Sequence, residues 1–270
     1  MSAHPSSSAV VDAAMPLVEL THDAYGVPGV ALLTLNRPDA FNALSEGLID
    51  ALQEHLSALA SSSARVVVIA GAGRAFCAGH DLKEMRAAPS RDYYVQLFGR
   101  CSKLMLTIQK MPQPVIARVH GVATAAGCQL VAMCDLAVAV DTARFAVSGI
   151  NLGLFCSTPA VPLTRNVSRK AAFEMLMTGD FIDAAAAQRE GLVNRVVPPD
   201  ELDAAVTALA ASICAKSREA VQAGKGLFYR QLEMGIEAAY QLAGQTMACN
   251  MMTDPALDGI QAFIERRGTK

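Results

Sequence analysis

Three runs of aliphatic residues, Arg65–Ala70, Pro114–Val119 and Leu136–Val140, recur along the chain, and each gives way to a turn. Such runs, rich in β-branched residues and bounded by turns, read as buried strands, and the turn that follows one sits at a carboxyl end of the sheet, where α/β folds place ligands. An amphipathic helix is expected from about Leu44 to Leu59, with Leu48, Leu52 and Leu56 on one face and Ser45 or Asn42 as its cap. Ahead of it, Leu17–Asp23 and Gly29–Leu35 read as two strands around the turn Tyr25-Gly26-Val27-Pro28. The order strand, strand, helix, strand, continued by Arg144–Val147, predicts an α/β fold of stacked strands with helices outside. From Asp200 onward the pattern is helical, over Asp200–Ala223, Leu227–Met234, Glu237–Asn250 and Ala256–Arg267. The chain therefore divides into a loose tail over 1–16, a core over 17–199 and a helical region over 200–270.

Two of the turns carry chemistry. After Arg65–Ala70 comes Ala75-Phe76-Cys77-Ala78-Gly79-His80-Asp81-Leu82-Lys83-Glu84-Met85. Gly79 permits close approach of a second backbone, and the N–H groups around it can turn outward to bind an oxyanion. After Pro114–Val119 comes a second small-residue stretch, His120 to Asp135, which runs into an apolar helix. Its first amides are unpaired and lie at the positive end of the helix dipole.

Charge and cysteine usage exclude several function classes. A formal net charge of −2 gives no bulk attraction for nucleic acid. Seven cysteines (Cys77, Cys101, Cys128, Cys134, Cys156, Cys214 and Cys249) show no C-x-x-C spacing, so neither a zinc site nor any other metal site is expected. Scattered thiols in apolar contexts suit a reducing cytosol. Residues 1–16 hold no Lys or Arg, which argues against a signal or transit peptide, and a cytoplasmic protein is expected. The weakly charged stretch Val119–Cys134 is shorter than the about 20 apolar residues that span a bilayer, so no membrane is expected either.

The pair F-C-A-G-H-D-L-K-E and H-G-x-A-x-A-A-G-C-Q-L-x-A-x-C-D resembles the crotonase, or enoyl-CoA hydratase/isomerase, superfamily. The resemblance begins at Leu33, Asn36-Arg37-Pro38 and Asn42-Ala43-Leu44 and covers nearly the whole chain. Gly153-Leu154-Phe155-Cys156-Ser157-Thr158-Pro159, with Arg169-Lys170 and Met175 to Gly179, resembles more narrowly the branch of enoyl-CoA hydratase domain-containing protein 3. It implies a spiral of β-β-α units with a helical C-terminal trimerisation region, an acyl-CoA thioester as substrate, no separate cofactor, and a homotrimer or dimer of trimers. It also implies that backbone N–H groups of Ala78 and Ala126 hold the thioester oxygen, with Ala40, Gly79, His80, Asp81 and Leu82 along the CoA and Phe263 and Arg266 reaching it from a neighbouring subunit.

The acid and base positions depart from that pattern. Where the hydratases carry two glutamates, this chain has Gln129 and Gly149, and neither can transfer a proton at neutral pH. Ordinary hydration is in doubt, because a positioned acid or base contributes about 10²–10⁴-fold. His80 is the first substitute candidate, set against a histidine hydrogen-bonded into the turn beside Asp81. Asp81 reads as a helix cap, Ser157 or Thr158 as another, and Cys128 as core. Cys156, Ser157 and Thr158 crowd the pocket side without a visible base, and Tyr93 or Tyr94 borders it on the helix Arg91–Met111. Three readings follow: an acyl-CoA enzyme working through an enolate, a catalytically silent acyl-CoA-binding protein, and a scaffold with a vestigial pocket.

Overall fold

The structure is a computed structural model that describes residues 15–268, with side chains as far as residue 265. The tail expected over 1–16 lies almost entirely outside the described residues. Strands β1 (Val18–Thr21) and β2 (Val30–Leu35) lead into α1 (Glu46–Ala60), which Ser45 caps by accepting the Leu48 N–H. Next come β3 (Val66–Gly71), β4 (Ala75–Cys77), α2 (Leu82–Ala87) and α3 (Arg91–Lys110). A second turn of the spiral holds β5 (Val115–Val119), β6 (Val122–Thr124) and α4 (Ala126–Met133). A third holds β7 (Leu136–Val140), β8 (Arg144–Ala146), a 3-10 turn at Ser148–Leu152, α5 (Ser157–Asn166) and α6 (Arg169–Thr178). The chain ends with β9 (Ile182–Asp183), α7 (Ala184–Glu190), β10 (Arg195–Val197), α8 (Leu202–Cys214), α9 (Arg218–Leu232), α10 (Ile236–Met251) and α11 (Asp254–Gly268).

Each turn gives one strand to each of two sheets. The larger runs β1-β2-β3-β5-β7-β10 and the smaller β4-β6-β8-β9, parallel throughout except for the β1/β2 and β8/β9 pairs. The continuous apolar runs are explained by position: Val66 to Ile69, Val115 to Ala117 and Val138 lie at the centre of the larger sheet, buried on both faces. Each fully buried Val, Leu or Ile contributes about 1.5–3 kcal/mol. Of the smaller sheet the sequence shows only β8, expected over Arg144–Val147; β4 and β6 have three residues each and show no period.

The C-terminal helices differ from expectation at two joints. Asp200–Ala223 is broken at Ala215 to Ser217, where the Ser217 hydroxyl caps α9 by accepting the Ala220 N–H at 3.1 Å. A helix over Leu227–Met234 is then the second half of α9, which continues through Gly224 and Gly226. A buried cluster fastens α9 to the core. Lys225 Nζ donates to the Ile108 carbonyl (2.8 Å), the Gln113 carbonyl (2.8 Å) and Asp135 Oδ2 (2.7 Å), while the Tyr229 hydroxyl donates to Asp135 Oδ1 (2.7 Å). Asp135 Oδ2 also accepts the Val115 N–H at 2.6 Å. Past the cluster, α9 and α10 leave Phe228, Leu232, Ile236, Tyr240 and Met247 exposed. Among the described residues no helix is long and apolar enough to cross a membrane.

Candidate active site

The turns after β4 and β6 come from successive turns of the spiral, and two glycines let them touch. Gly127 packs so closely on β4 that a Cβ there would overlap the Cys77 carbonyl. Gly79 has φ +95°, and a Cβ on it would stand 2.9 Å from Ala125 Cβ and 3.3 Å from Ala126 N. The first turn is held from behind by the loop before α1. Leu44 N–H donates to the Gly79 carbonyl (2.7 Å) and the Asp81 N–H to the Leu44 carbonyl (3.1 Å). Buried Asn42 donates to the Ala72 and Ala75 carbonyls, both at 2.8 Å, and accepts the Arg37 N–H at 2.9 Å.

Asp81 caps α2 as expected, accepting the Lys83 and Glu84 N–H groups, and pairs with Arg37 at 2.9 Å. Burial raises its pKa, but the Arg37 guanidinium and the two N–H donors lower it by more, so it stays ionised and engaged.

Between the two turns lies a cavity of about 250 Å³, walled by Leu82 and Met85 of α2, Phe98 of α3, Ala78, His80, Ala125 and Ala126 of the turns, and the segment from Ser148 to Pro159. The donors at its wall are not the pair expected. Ala78 lines the cavity, but its N–H is engaged with the Phe41 carbonyl at 3.0 Å, which corrects its assignment as an oxyanion donor. The His80 and Ala126 N–H groups find no acceptor among the described residues, and Ala126 opens α4, where the first amides have no partner in the helix. Ala125 before it holds φ 51°, a conformation L residues disfavour, and its own N–H donates to the Ala146 carbonyl at 2.9 Å.

The His80 ring is not hydrogen-bonded into the turn as expected. It meets Phe98 edge to face at 5.4 Å, and its buried Nε2 has no partner. Burial lowers its pKa to about 4, so the imidazole is neutral at pH 7 and a weak base.

Gln129 is buried on α4 and does not line the cavity, and its Oε1 has no hydrogen-bond partner. Gly149 does line it, but a side chain cannot replace its hydrogen without movement: a Cβ would stand 2.6 Å from the Leu154 carbonyl oxygen and 2.7 Å from Cys156 Sγ. The space beside Gly149 is filled by Cys156, whose sulfur accepts the Gly149 N–H at 3.3 Å and whose thiol burial keeps protonated. A Gly149→Glu replacement therefore does not simply restore a missing carboxylate.

Ser157 and Thr158 line the cavity without capping α5; the Ser157 hydroxyl donates to the Phe155 carbonyl at 3.3 Å. Cys128 is core, with a thiol pushed up to about 12 by burial. Tyr93 and Tyr94 stand off the cavity, the latter donating to the Met85 carbonyl at 2.9 Å. Ala40, in the 3-10 turn Pro38–Ala40, and Phe263 on α11 do not border it, and the Arg266 side chain lies outside the described residues. The sequence reading missed Ser148, whose hydroxyl pairs with that of Thr124 at 2.9 Å, and Leu152; both sit in a 3-10 turn with no periodic signal.

A family model described as enoyl-CoA hydratase/isomerase matches residues 26–270. The chain belongs to that family. An enoyl-CoA hydratase structure from Mycobacterium smegmatis superposes with a TM-score of 0.91 at 63% identity, over 93% of this chain and 97% of that one. Human enoyl-CoA hydratase domain-containing protein 3 superposes with a TM-score of 0.88 at 42% identity, over 93% and 98%. The mitochondrial rat protein of the same name is 45% identical over 88% of this chain and 80% of its own. Within the family, the chain falls in the branch of that protein. The relatives also correct the expectation of a cytoplasmic location, since those from rat, mouse, Xenopus laevis, human and Danio rerio are all named mitochondrial. Scattered cysteines do not discriminate between compartments that are both reducing.

Proposed function

We propose that this member of the enoyl-CoA hydratase/isomerase family binds an acyl-CoA thioester and stabilises its enolate, with the His80 and Ala126 N–H groups as oxyanion donors. The observation that carries this reading is the pair of unmatched N–H groups at the wall of a largely apolar cavity. One such donor is worth about 3–4 kcal/mol of transition-state stabilisation. No separate cofactor is needed for that step. Hydration needs, in addition, groups that deliver and remove a proton, and the titratable side chains at the wall are a neutral imidazole and a protonated thiol. Crotonyl-CoA is therefore hydrated slowly, and proton transfer at the α-carbon of a more acidic thioester suits the site better. A catalytically silent acyl-CoA-binding protein is the other reading, favoured by the same lack of a carboxylate at the described wall.

A 3-oxoacyl-CoA separates the two, because its enolate absorbs in the near ultraviolet. Bound to the protein, it should ionise about two pH units lower than free, and Ala126→Pro, which removes one N–H at the first position of α4, should abolish most of that shift. Binding with no shift leaves only the silent reading. The cavity reading extends to assembly: the apolar side chains exposed on α9 and α10, in the helical region over 200–270, are covered when three copies, or two sets of three, associate around the cores over 17–199. A monomer by light scattering at micromolar concentration would remove that part.

A further inference from the structure

The charge of the cavity wall limits the acyl group. Among the described residues the lining contains no Arg, Lys, Asp or Glu. Two carboxylates flank the lining residues in sequence, Asp81, paired with Arg37, and Glu84, whose Oε2 accepts the Glu46 N–H at 2.9 Å. Both would repel a second anion. The nearby guanidinium of Arg37 is already committed, to Asp81 and to the Ala43 carbonyl at 2.6 Å. The wall's hydroxyls, on Ser148, Ser157 and Thr158, carry no charge, and Ser148 bonds Thr124 while Ser157 bonds the Phe155 carbonyl. The rest of the lining is small or apolar, chiefly Leu82, Met85, Phe98, Leu152, Leu154 and Phe155, together with the neutral His80 imidazole and the protonated Cys156 thiol. The volume of about 250 Å³ holds roughly eight groups of water size at about 30 Å³ each.

We infer that this cavity selects a short, uncharged aliphatic acyl group and rejects an acyl group that ends in a carboxylate. The inference rests on the acyl-CoA reading above and deepens it. A buried carboxylate without a cation keeps its full desolvation cost, whereas a terminal methyl group gains from the same wall.

The test is calorimetry at fixed salt with three thioesters that share the CoA moiety: hexanoyl-CoA, adipoyl-CoA, and the methyl ester of adipoyl-CoA. The third keeps the diacid's chain without its charge and is one methyl group longer. Adipoyl-CoA is expected to bind at least about 100-fold more weakly than hexanoyl-CoA, and the methyl ester to recover at least about tenfold of that loss. Adipoyl-CoA binding within about threefold of hexanoyl-CoA overturns the inference while leaving the acyl-CoA reading intact. A methyl ester as weak as the free acid also overturns it, because length rather than charge would then discriminate. If none of the three binds, the acyl-CoA reading fails and takes the inference with it.

Discussion

Asp135, Lys225 and Tyr229 meet under α9 with their charges and donors matched, whereas His80 and Ala126 meet at the cavity with an N–H each and one imidazole nitrogen unmatched. Both sets lie largely out of water and belong to the same core. The cluster under α9 uses all three Lys225 donors and both Asp135 oxygens, so this fold can complete a buried polar network where the network serves only cohesion. Leaving a buried polar atom unmatched costs about 1–3 kcal/mol. Buried side-chain atoms of Tyr25, Gln113, His120 and Gln129 also lack a partner among the described residues but do not line the cavity, so the contrast rests on the two backbone N–H groups at the wall, which point to a partner that arrives from outside.

The largest test of that contrast is Lys225→Met. It strands the Asp135 carboxylate, and stability should fall by about 3–5 kcal/mol in urea unfolding. Hexanoyl-CoA affinity, measured where the variant is folded, should stay within about twofold, because Lys225 is not among the residues that line the cavity. A variant as stable as the parent would mean that α9 is held by its apolar face alone.

His80 gives the next effect, through pH. Burial lowers its pKa from 6.5 to about 4, so between those values the unfolded chain binds a proton that the folded chain does not. Its contribution is fully present above pH 6.5 and declines as pH falls towards 4, by about 2–3 kcal/mol. Comparing unfolding free energies at pH 7 and pH 4.5 should show this slope in the parent and a shallower one in His80→Gln. Equal slopes would mean that the ring is wetter than its contacts indicate.

Ala125→Gly is the smallest change. Relief of an L residue at φ 51° is worth about 1–3 kcal/mol, offset by about 0.5–1 kcal/mol of extra freedom in the unfolded chain. A net gain of about 1 kcal/mol in thermal unfolding is expected, with the bound 3-oxoacyl-CoA ionising at an unchanged pH. A loss of stability would place the strain elsewhere in the turn.

How far the sequence carries is seen in the same residues. The central strands were legible because burial on both faces leaves unbroken aliphatic runs, and Ser45 and Asp81 because capping is a local bond. The turns were found by their small residues, yet which amide was free could not be read. That depends on Phe41, whose carbonyl takes the Ala78 N–H from a loop 37 residues earlier (78 − 41 = 37), and no local pattern encodes it. Gly149 likewise read as a missing carboxylate until Cys156 was seen to fill the space beside it. Asp135 was visible in the second motif, but its partners are on α9, 90 and 94 residues further on.

That separation has a consequence during synthesis. When Asp135 leaves the ribosome, the lysine that neutralises it has not been made, and at about 5–20 residues per second the wait for a partner 90 residues away is about 5–18 s. Until then the Val115 N–H, made earlier, is the one partner available to a carboxylate that α9 neutralises in the finished fold. A chain cut before α9 lacks both Lys225 and Tyr229 and leaves Asp135 without its cation.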